Sequence, residues 1–257
     1  MKPLLRSWRA AAVLLVLLAA WEAYVDLGGA DPLILPAPHA VAKALYSDRA
    51  LLARNFLATA EEIVLGILVA AAAAFAFAVA LHFSRRTLRP AVYPLLVASQ
   101  TIPIVMVAPL FALWLGFGIL PKLLIIALVS FFSIVVTTLA GLAGVDPELI
   151  KLMRTFDASR GAIFRHVELP AALPGLFTGA KIAVVVAVIG AVFAEQAGSN
   201  AGLGYVFQQA IPQLLTARAY AAVALLSAFA IVLFALLTLA ERLALPWAHE
   251  PRGGRPE

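Results

Sequence analysis

Residues 63–81 read IVLGILVAAAAAFAFAVAL and contain no charged side chain. As an α-helix, this stretch would extend about 28 Å, close to the roughly 30 Å hydrocarbon core of a lipid bilayer. The stretch therefore predicts a transmembrane helix.

Five further apolar runs lie on either side of this stretch. They cover residues 10–25, 91–115, 123–143, 173–194 and 219–240. The first run is shorter and follows Lys2, Arg6 and Arg9, a pattern that is also typical of a signal peptide. It lacks a clear small-residue cleavage site, however, and Trp8 and Trp21 are spaced like anchors at two membrane interfaces. We therefore favour a retained helix and predict about six transmembrane helices.

The composition agrees with a chain that lies mainly in lipid. Hydrophobic residues make up 63% of its 257 residues and charged residues 13%, against about 45–50% and 25% in soluble domains. Cysteine is absent, which excludes disulfides and thiolate metal sites. The net charge of +5 does not indicate nucleic-acid binding, because the charges lie between apolar runs.

The distribution of lysine and arginine predicts the orientation, because cytoplasmic segments of membrane proteins are enriched in them. With the N-terminus inside, the outer segments hold Lys43, Arg49, Arg54, Lys122 and Arg218. The inner segments hold Lys2, Arg6, Arg9, Arg85, Arg86, Arg89, Lys151, Arg154, Arg160, Arg165, Arg242, Arg252 and Arg255. We predict a multi-pass protein of the cell (inner) membrane with both termini in the cytoplasm.

Residues 146–170, between the fourth and fifth runs, follow the local rules for two short helices. Asp146 is a good N-cap, Pro147 fits a first helical turn, and Glu148 suits the positive end of the helix dipole. An apolar stripe at helical spacing follows, formed by Leu149, Leu152, Met153 and Phe156. Asp157 or Ser159 is predicted to cap a second short helix carrying Ile163, Phe164 and Val167, which Pro170 would end.

This segment resembles the cytoplasmic coupling loop, or EAA loop, of permeases in binding-protein-dependent ABC importers. The resemblance rests on Ala158-Ser159, Phe164, Val167 and the run Leu169-Pro-Ala-Ala-Leu-Pro174. Two other stretches resemble the nitrate, sulfonate, taurine and thiamine-precursor branch of that family. They are Leu33-Ile-Leu-Pro-Ala-Pro-His-Ala-Val41, and Ala194-Glu195 followed by Gly202-Leu-Gly204.

The loop departs from the family pattern at two places. Lys151-Leu152-Met153 replaces Glu-Ala-Ala, and Asp157 replaces a glycine. Asp can adopt the left-handed backbone that glycine supplies in such turns, so we expect the turn to be kept. Lys151 reverses a charge that faces the ATPase in the family. Either the partner carries a compensating acidic residue or this contact is not used.

The resemblance implies one transmembrane permease domain over residues 1–257, with the fold of a type I ABC importer permease and no enzymatic activity. It implies ATPase coupling through Glu148, Lys151, Leu152, Arg154, Asp157, Ala158, Ser159, Phe164, Leu169 and Pro170. It also implies two copies of a separate ATP-binding subunit, an external solute-binding protein and a second permease copy, giving a homodimer. The chain has no phosphate-binding GxxxxGK[ST] loop, so ATP and Mg would be bound by the separate subunit, and no cofactor is expected in this chain.

Polar residues inside the apolar runs are candidates for the translocation path or gate. Gln100 and Thr101 lie between Pro94 and Pro103, and the prolines predict kinks or local unwinding. Gln100 either faces the path or bonds a neighbouring helix.

Glu195 either is an interfacial carboxylate in water or acts at an outer gate or docking site. The Glu61-Glu62 pair suggests a solvated helix start. Lys181 is expected to reach towards the inner headgroups rather than bind solute. The four histidines show no metal-ligand spacing, so no metal site is predicted.

The substrate is indicated less directly than the family. Three stretches are most similar to permeases for thiamine-precursor pyrimidines: those around Phe164, residues 187–195 and residues 241–247. Sulfonates, taurine, nitrate and riboflavin-like solutes remain alternatives. An ion-coupled secondary transporter would need paired intramembrane carboxylates, whereas the sequence suggests only an isolated Glu195. A membrane-embedded enzyme would need clustered polar residues within the spans.

Overall fold

The computed structural model describes residues 4–84 and 89–248, with side chains from residue 12 onward except those of residues 89 and 90. The predictions for Lys2, Arg85, Arg86, His249, Arg252 and Arg255 lie outside the described residues. All regular structure in the described part of the chain is helical, as predicted.

The six predicted apolar runs fall on the longer helices, except for residues 100–103. The longer helices are α1 (Leu4–Asp26), α3 (Arg49–Phe83), α4 (Arg89–Ser99), α5 (Ile104–Leu115), α6 (Ile119–Ala143), α9 (Leu169–Gln196) and α11 (Thr216–Ala244). Residues 100–103 lie between α4 and α5. The shorter elements are α2 (Pro38–Ser47), α7 (Pro147–Thr155), α8 (Arg160–Ile163), a π turn (Phe164–Glu168), α10 (Leu203–Ala210) and a 3₁₀ turn (Pro246–Ala248).

In the described part of the chain, four helical stretches are long and apolar enough to cross a membrane: α3, α6, α11 and Arg160–Gln196. A fifth is obtained if the bent pair α4 and α5 counts as one span. Helix α1 is not among them, although Val13–Leu18 are apolar and exposed. The count of six spans therefore stays a prediction.

The chain divides into two compact units, each described here by itself. The first contains the residues up to Thr59 together with Asn200–Ser227. Inside it, the side chains of Asn55 and Thr59 accept hydrogen bonds of 2.8 Å from the backbone N–H groups of Gly202 and Leu203, at the start of α10. Gly202 has φ +116°, a conformation that favours glycine, which explains the first glycine of the Gly202-Leu-Gly204 motif.

The second unit contains Ala60–Ser199 and the residues from Ala228 onward. Its core lies between α3, α6 and α9, where small residues allow backbones to approach closely. A Cβ added at Gly175 would lie 2.3 Å from the carbonyl oxygen of Thr137, and one at Gly179 would lie 2.6 Å from the Cα of Ile134. The Gly175–Gly179 step therefore packs against α6 of the same chain.

Candidate functional site

Helix α7 begins as the sequence predicts and presents an apolar surface. The Asp146 side chain accepts a 2.8 Å hydrogen bond from the backbone N–H of Glu148, and Pro147 occupies the first turn. All nine residues of α7 are described and none of them is buried. Leu149 and Leu152 are 50% and 52% exposed, and Phe156, just beyond the helix, is 75% exposed. We call these three side chains the α7 stripe. An exposed apolar surface of this kind suits a protein partner or lipid headgroups.

The turn after α7 is sharp because Asp157 adopts a left-handed conformation, with φ +53°. The Ala158 N–H donates to the Met153 carbonyl at 3.0 Å, which closes the end of α7. Ser159 then caps α8 by accepting a 3.2 Å hydrogen bond from the Ala162 N–H. The expectation that Asp157 would keep the glycine-type turn is confirmed.

The prediction that Pro170 ends a second short helix is wrong. The helix that starts at Arg160 continues to Gln196 through the π turn. In this turn the Leu169 N–H donates to the carbonyl of Phe164, five residues earlier. The wider π spacing, together with the position of Pro170 in the first turn of α9, accommodates the missing proline N–H without breaking the helix.

The predicted coupling residues divide into two groups by exposure. Six are exposed: Glu148, Lys151, Leu152, Arg154, Asp157 and Ser159. Four are partly buried: Ala158, Phe164, Leu169 and Pro170. Phe164 packs on the ring of Phe83 at 5.1 Å, so it faces its own chain. Lys151 lies 3.7 Å from Glu148, but both side chains are mostly exposed, and such a pair contributes little to stability.

The α4–α5 pair contains the predicted break. The two helices meet at an angle of 92°, and Gln100 and Thr101 lie between them. A cavity of about 310 Å³ opens there, lined by Ser99, Gln100, Ile102 and Pro103 together with apolar residues of α5, α6 and α9. None of the described residues that line this cavity is charged. Thr101 is exposed in the break, and its hydroxyl donates to the Ala98 carbonyl at 2.8 Å.

Glu195 does not lie in this cavity and is not a solvated interfacial carboxylate. It is fully buried and lies close to the side chain of Glu62. Lys122 completes the cluster, with its Nζ 2.6 Å from Glu62 Oε1 and 2.7 Å from Ser199 Oγ. We call these four residues the Lys122 cluster. In the sequence, Glu62, Lys122 and Glu195 each lie at the end of a different predicted span. Their pairing depends on tertiary contacts, so the sequence alone did not indicate the cluster.

Three expectations about charged residues are corrected by these contacts. Glu62 is neither solvated nor at a helix start, since it lies inside α3 and is buried. Glu195 is not isolated, because it lies beside Glu62. Lys181 does not extend to the headgroups, because its Nζ lies 2.8 Å from Glu241 Oε2 and both side chains are largely buried.

A further group in the first unit was not indicated by sequence spacing. Glu22, Asp26 and His39 bring their ligand atoms within 4.8 Å of one another, an arrangement that can hold a metal ion. The His39 ring and backbone N–H already hydrogen-bond Glu22. The group is half-buried to exposed, and nothing else in the described residues points to a bound ion.

Several helices long and apolar enough to cross a membrane, together with an exposed amphipathic helix, define a multi-pass helical membrane protein. Residues 62–246 match the family described as binding-protein-dependent transport system inner membrane component. The chain belongs to this family and is an ABC importer permease for small solutes, not an enzyme. Its location is accordingly the inner membrane.

Two similar proteins and one structure illustrate the range of the family. The chain is 35% identical to the formylaminopyrimidine transport permease protein ThiX of Halalkalibacterium halodurans, over 91% of this chain and 93% of that protein. It is 36% identical to the riboflavin transport system permease protein RibX of Chloroflexus aurantiacus, over 91% and 88%. The inward-facing MetNI methionine ABC transporter matches with a TM-score of 0.64 and 20% identity, over 77% of this chain and 96% of that chain, a likeness of fold alone.

Proposed function

We propose that this chain is moved between inward-facing and outward-facing states by a separate ATPase that docks on the α7 stripe. The observation that carries the proposal is the exposure of Leu149, Leu152 and Phe156 on a helix fixed at both ends. Closure of the ATPase pair would push α7, and the permease would take up solute from an external binding protein. ATP and Mg would be bound by the ATPase subunits, and this chain would carry out no covalent chemistry.

The complete transporter, in this proposal, contains two copies of the chain, two ATPase subunits and one solute-binding protein outside. The lysine and arginine distribution supports six spans with cytoplasmic termini. It also supports a cytoplasmic position for α7. Lys151 is exposed and its surface pair with Glu148 is weak, so in this proposal it can pair instead with an acidic residue of the ATPase.

The solute is proposed to be a neutral heteroaromatic compound of the formylaminopyrimidine type. The cavity of about 310 Å³ at the α4–α5 break lies at the small end of ligand pockets, which run from about 300 to 1,000 Å³. Its described lining offers Gln100 and Ser99 for hydrogen bonds and no cation. A sulfonate or nitrate anion would lose its hydration there without gaining a charge partner, whereas removing water from a neutral ring costs less free energy.

Docking is tested by purifying the chain with its cognate ATPase. Leu152→Asp should reduce ATPase binding and solute uptake in proteoliposomes, because it places a charge in the apolar contact. Leu27→Asp is the matched control, since Leu27 is 87% exposed in the turn after α1, far along the chain from α7. Undiminished ATPase binding by Leu152→Asp would contradict the proposal.

The buried pair of Glu62 and Glu195 is the kind of feature that an ion-coupled secondary transporter requires. Reconstitution separates the two mechanisms. Solute accumulation by the purified chain alone, driven by an ion gradient, would favour the ion-coupled mechanism.

The identity of the solute is tested by a thermal-shift screen of the cognate binding protein against aminopyrimidine, riboflavin, taurine and nitrate. A shift with taurine or nitrate alone would contradict the proposal of a neutral heteroaromatic solute.

A further inference from the structure

A polar cluster joins the end of α3 to the segment that follows α7; two of its members, His82 and Glu168, are buried, and the third, Arg160, is exposed. Glu168 Oε2 accepts hydrogen bonds from Arg160 at 2.7 Å and from His82 Nε2 at 3.0 Å. The Arg160 guanidinium also lies 3.0 Å from the same His82 nitrogen. His82 and Glu168 are 2% and 1% exposed, although they lie 86 residues apart in the chain. We call these three residues the His82 cluster.

Aromatic rings enclose the cluster on one side. The Arg160 guanidinium lies 5.1 Å from the centre of the Phe83 ring, which in turn packs 5.1 Å from the ring of Phe164. The His82 ring lies 6.4 Å from Phe164. A buried carboxylate held by two nitrogen donors and bordered by rings is rigid, because a shift of any member leaves a buried charge with fewer partners.

The His82 cluster lies at the connection between the segment that follows α7 and helix α3 of the bundle. None of the nine residues of α7 is buried, so α7 is held through its two ends. At its C-terminal end the chain passes through the Asp157 turn into α8, whose first residue is Arg160. Arg160 and Glu168 belong to the segment that leads into α9, whereas His82 belongs to α3.

We propose that His82 is a positioning residue that transmits movement of α7 to α3, by holding Arg160 and Glu168 at the inner end of that helix. The inference rests on the proposed function, because it presumes that an ATPase moves α7. It adds a specific connection: without His82, the ATPase still docks and hydrolyses ATP, but its cycle no longer drives the permease. Coupling energies between sites in proteins typically correspond to factors of about 5 to 150.

The test uses the complex of this chain with its ATPase and binding protein in proteoliposomes. Three quantities are measured: ATPase binding, basal hydrolysis, and solute moved per ATP in the presence of loaded binding protein. His82→Ala should leave the first two unchanged and reduce solute moved per ATP at least about fivefold. His82→Gln, whose side-chain amide can still donate to Glu168, should recover much of that loss.

Glu241→Gln is the matched control, because it weakens another buried ion pair, Lys181–Glu241, that lies outside the coupling loop. It should lower stability without changing solute moved per ATP. Equal coupling in His82→Ala and the unaltered chain would overturn the inference, and so would an equal loss in Glu241→Gln. If His82→Ala does not assemble, His82→Gln decides: loss of assembly or of ATPase binding there would also overturn it. Failure of the unaltered chain to bind the ATPase would instead reject the proposed function.

Discussion

Replacing Lys122 by methionine removes the ammonium group that hydrogen-bonds Glu62 and Ser199 in the Lys122 cluster. Lys122 is 9% exposed and lies 2.6 Å from Glu62 and 2.7 Å from Ser199. Its loss leaves the buried Glu62 carboxylate, which lies beside Glu195, without this cation. Removing one partner of a buried ion pair costs about 3–5 kcal/mol, and we expect Lys122→Met to lower the free energy of unfolding by that amount.

The assay is reversible unfolding in mixed detergent micelles, followed by circular dichroism. The double variant Lys122→Met/Glu62→Gln should lose less than Lys122→Met alone, because it removes the uncompensated charge as well. Lys43→Met is the control, since Lys43 is exposed on α2 and surface changes usually stay within about 0.5 kcal/mol. A loss below about 1 kcal/mol in Lys122→Met, or a larger loss in the double variant, would refute the reasoning.

Three further outcomes follow from the geometry. Gly179→Ala should lower the unfolding free energy by about 1–3 kcal/mol, because its Cβ would lie 2.3 Å from Thr137 Oγ1. Gly161→Ala should not lower it, because nothing lies within 4 Å of the added Cβ. Equal effects of the two substitutions would contradict the close packing of Gly179. Asp157→Val should lower the same quantity by about 1–2 kcal/mol and Asp157→Gly should not, since φ is +53° there; a stable valine variant would argue against the left-handed turn. Gln100→Ala should slow uptake by about two- to tenfold with ATPase binding unchanged, as expected for one lost hydrogen bond, and unaltered uptake would remove Gln100 from the path.

The features that the sequence predicted correctly depend on neighbouring residues. The Asp146 cap, the Pro147 start and the left-handed Asp157 each follow from interactions within about four positions along the chain. The length of an apolar run can likewise be compared directly with the thickness of the hydrocarbon core of a bilayer. These rules located the exposed helix and the turn of the coupling loop before any contact was known.

The features that were missed depend on residues far apart in the chain. Glu62 and Lys122 are 60 residues apart, and the expectation of a solvated Glu62 was wrong because tertiary packing places it against Lys122. The rule that proline ends a helix was wrong at Pro170 because a π turn precedes it and the helix continues to Gln196. Single-sequence patterns report neither kind of contact.

The proposals that α7 lies in the cytoplasm and that an ATPase docks on it are tested most directly by a single cysteine. The chain contains no cysteine, so Leu152→Cys introduces one unique thiol, at a position that is 52% exposed. A membrane-impermeant maleimide should label it in inverted membrane vesicles and not in intact spheroplasts, and added ATPase subunit should protect it. Labelling in intact spheroplasts, or in vesicles regardless of the ATPase, would contradict the account.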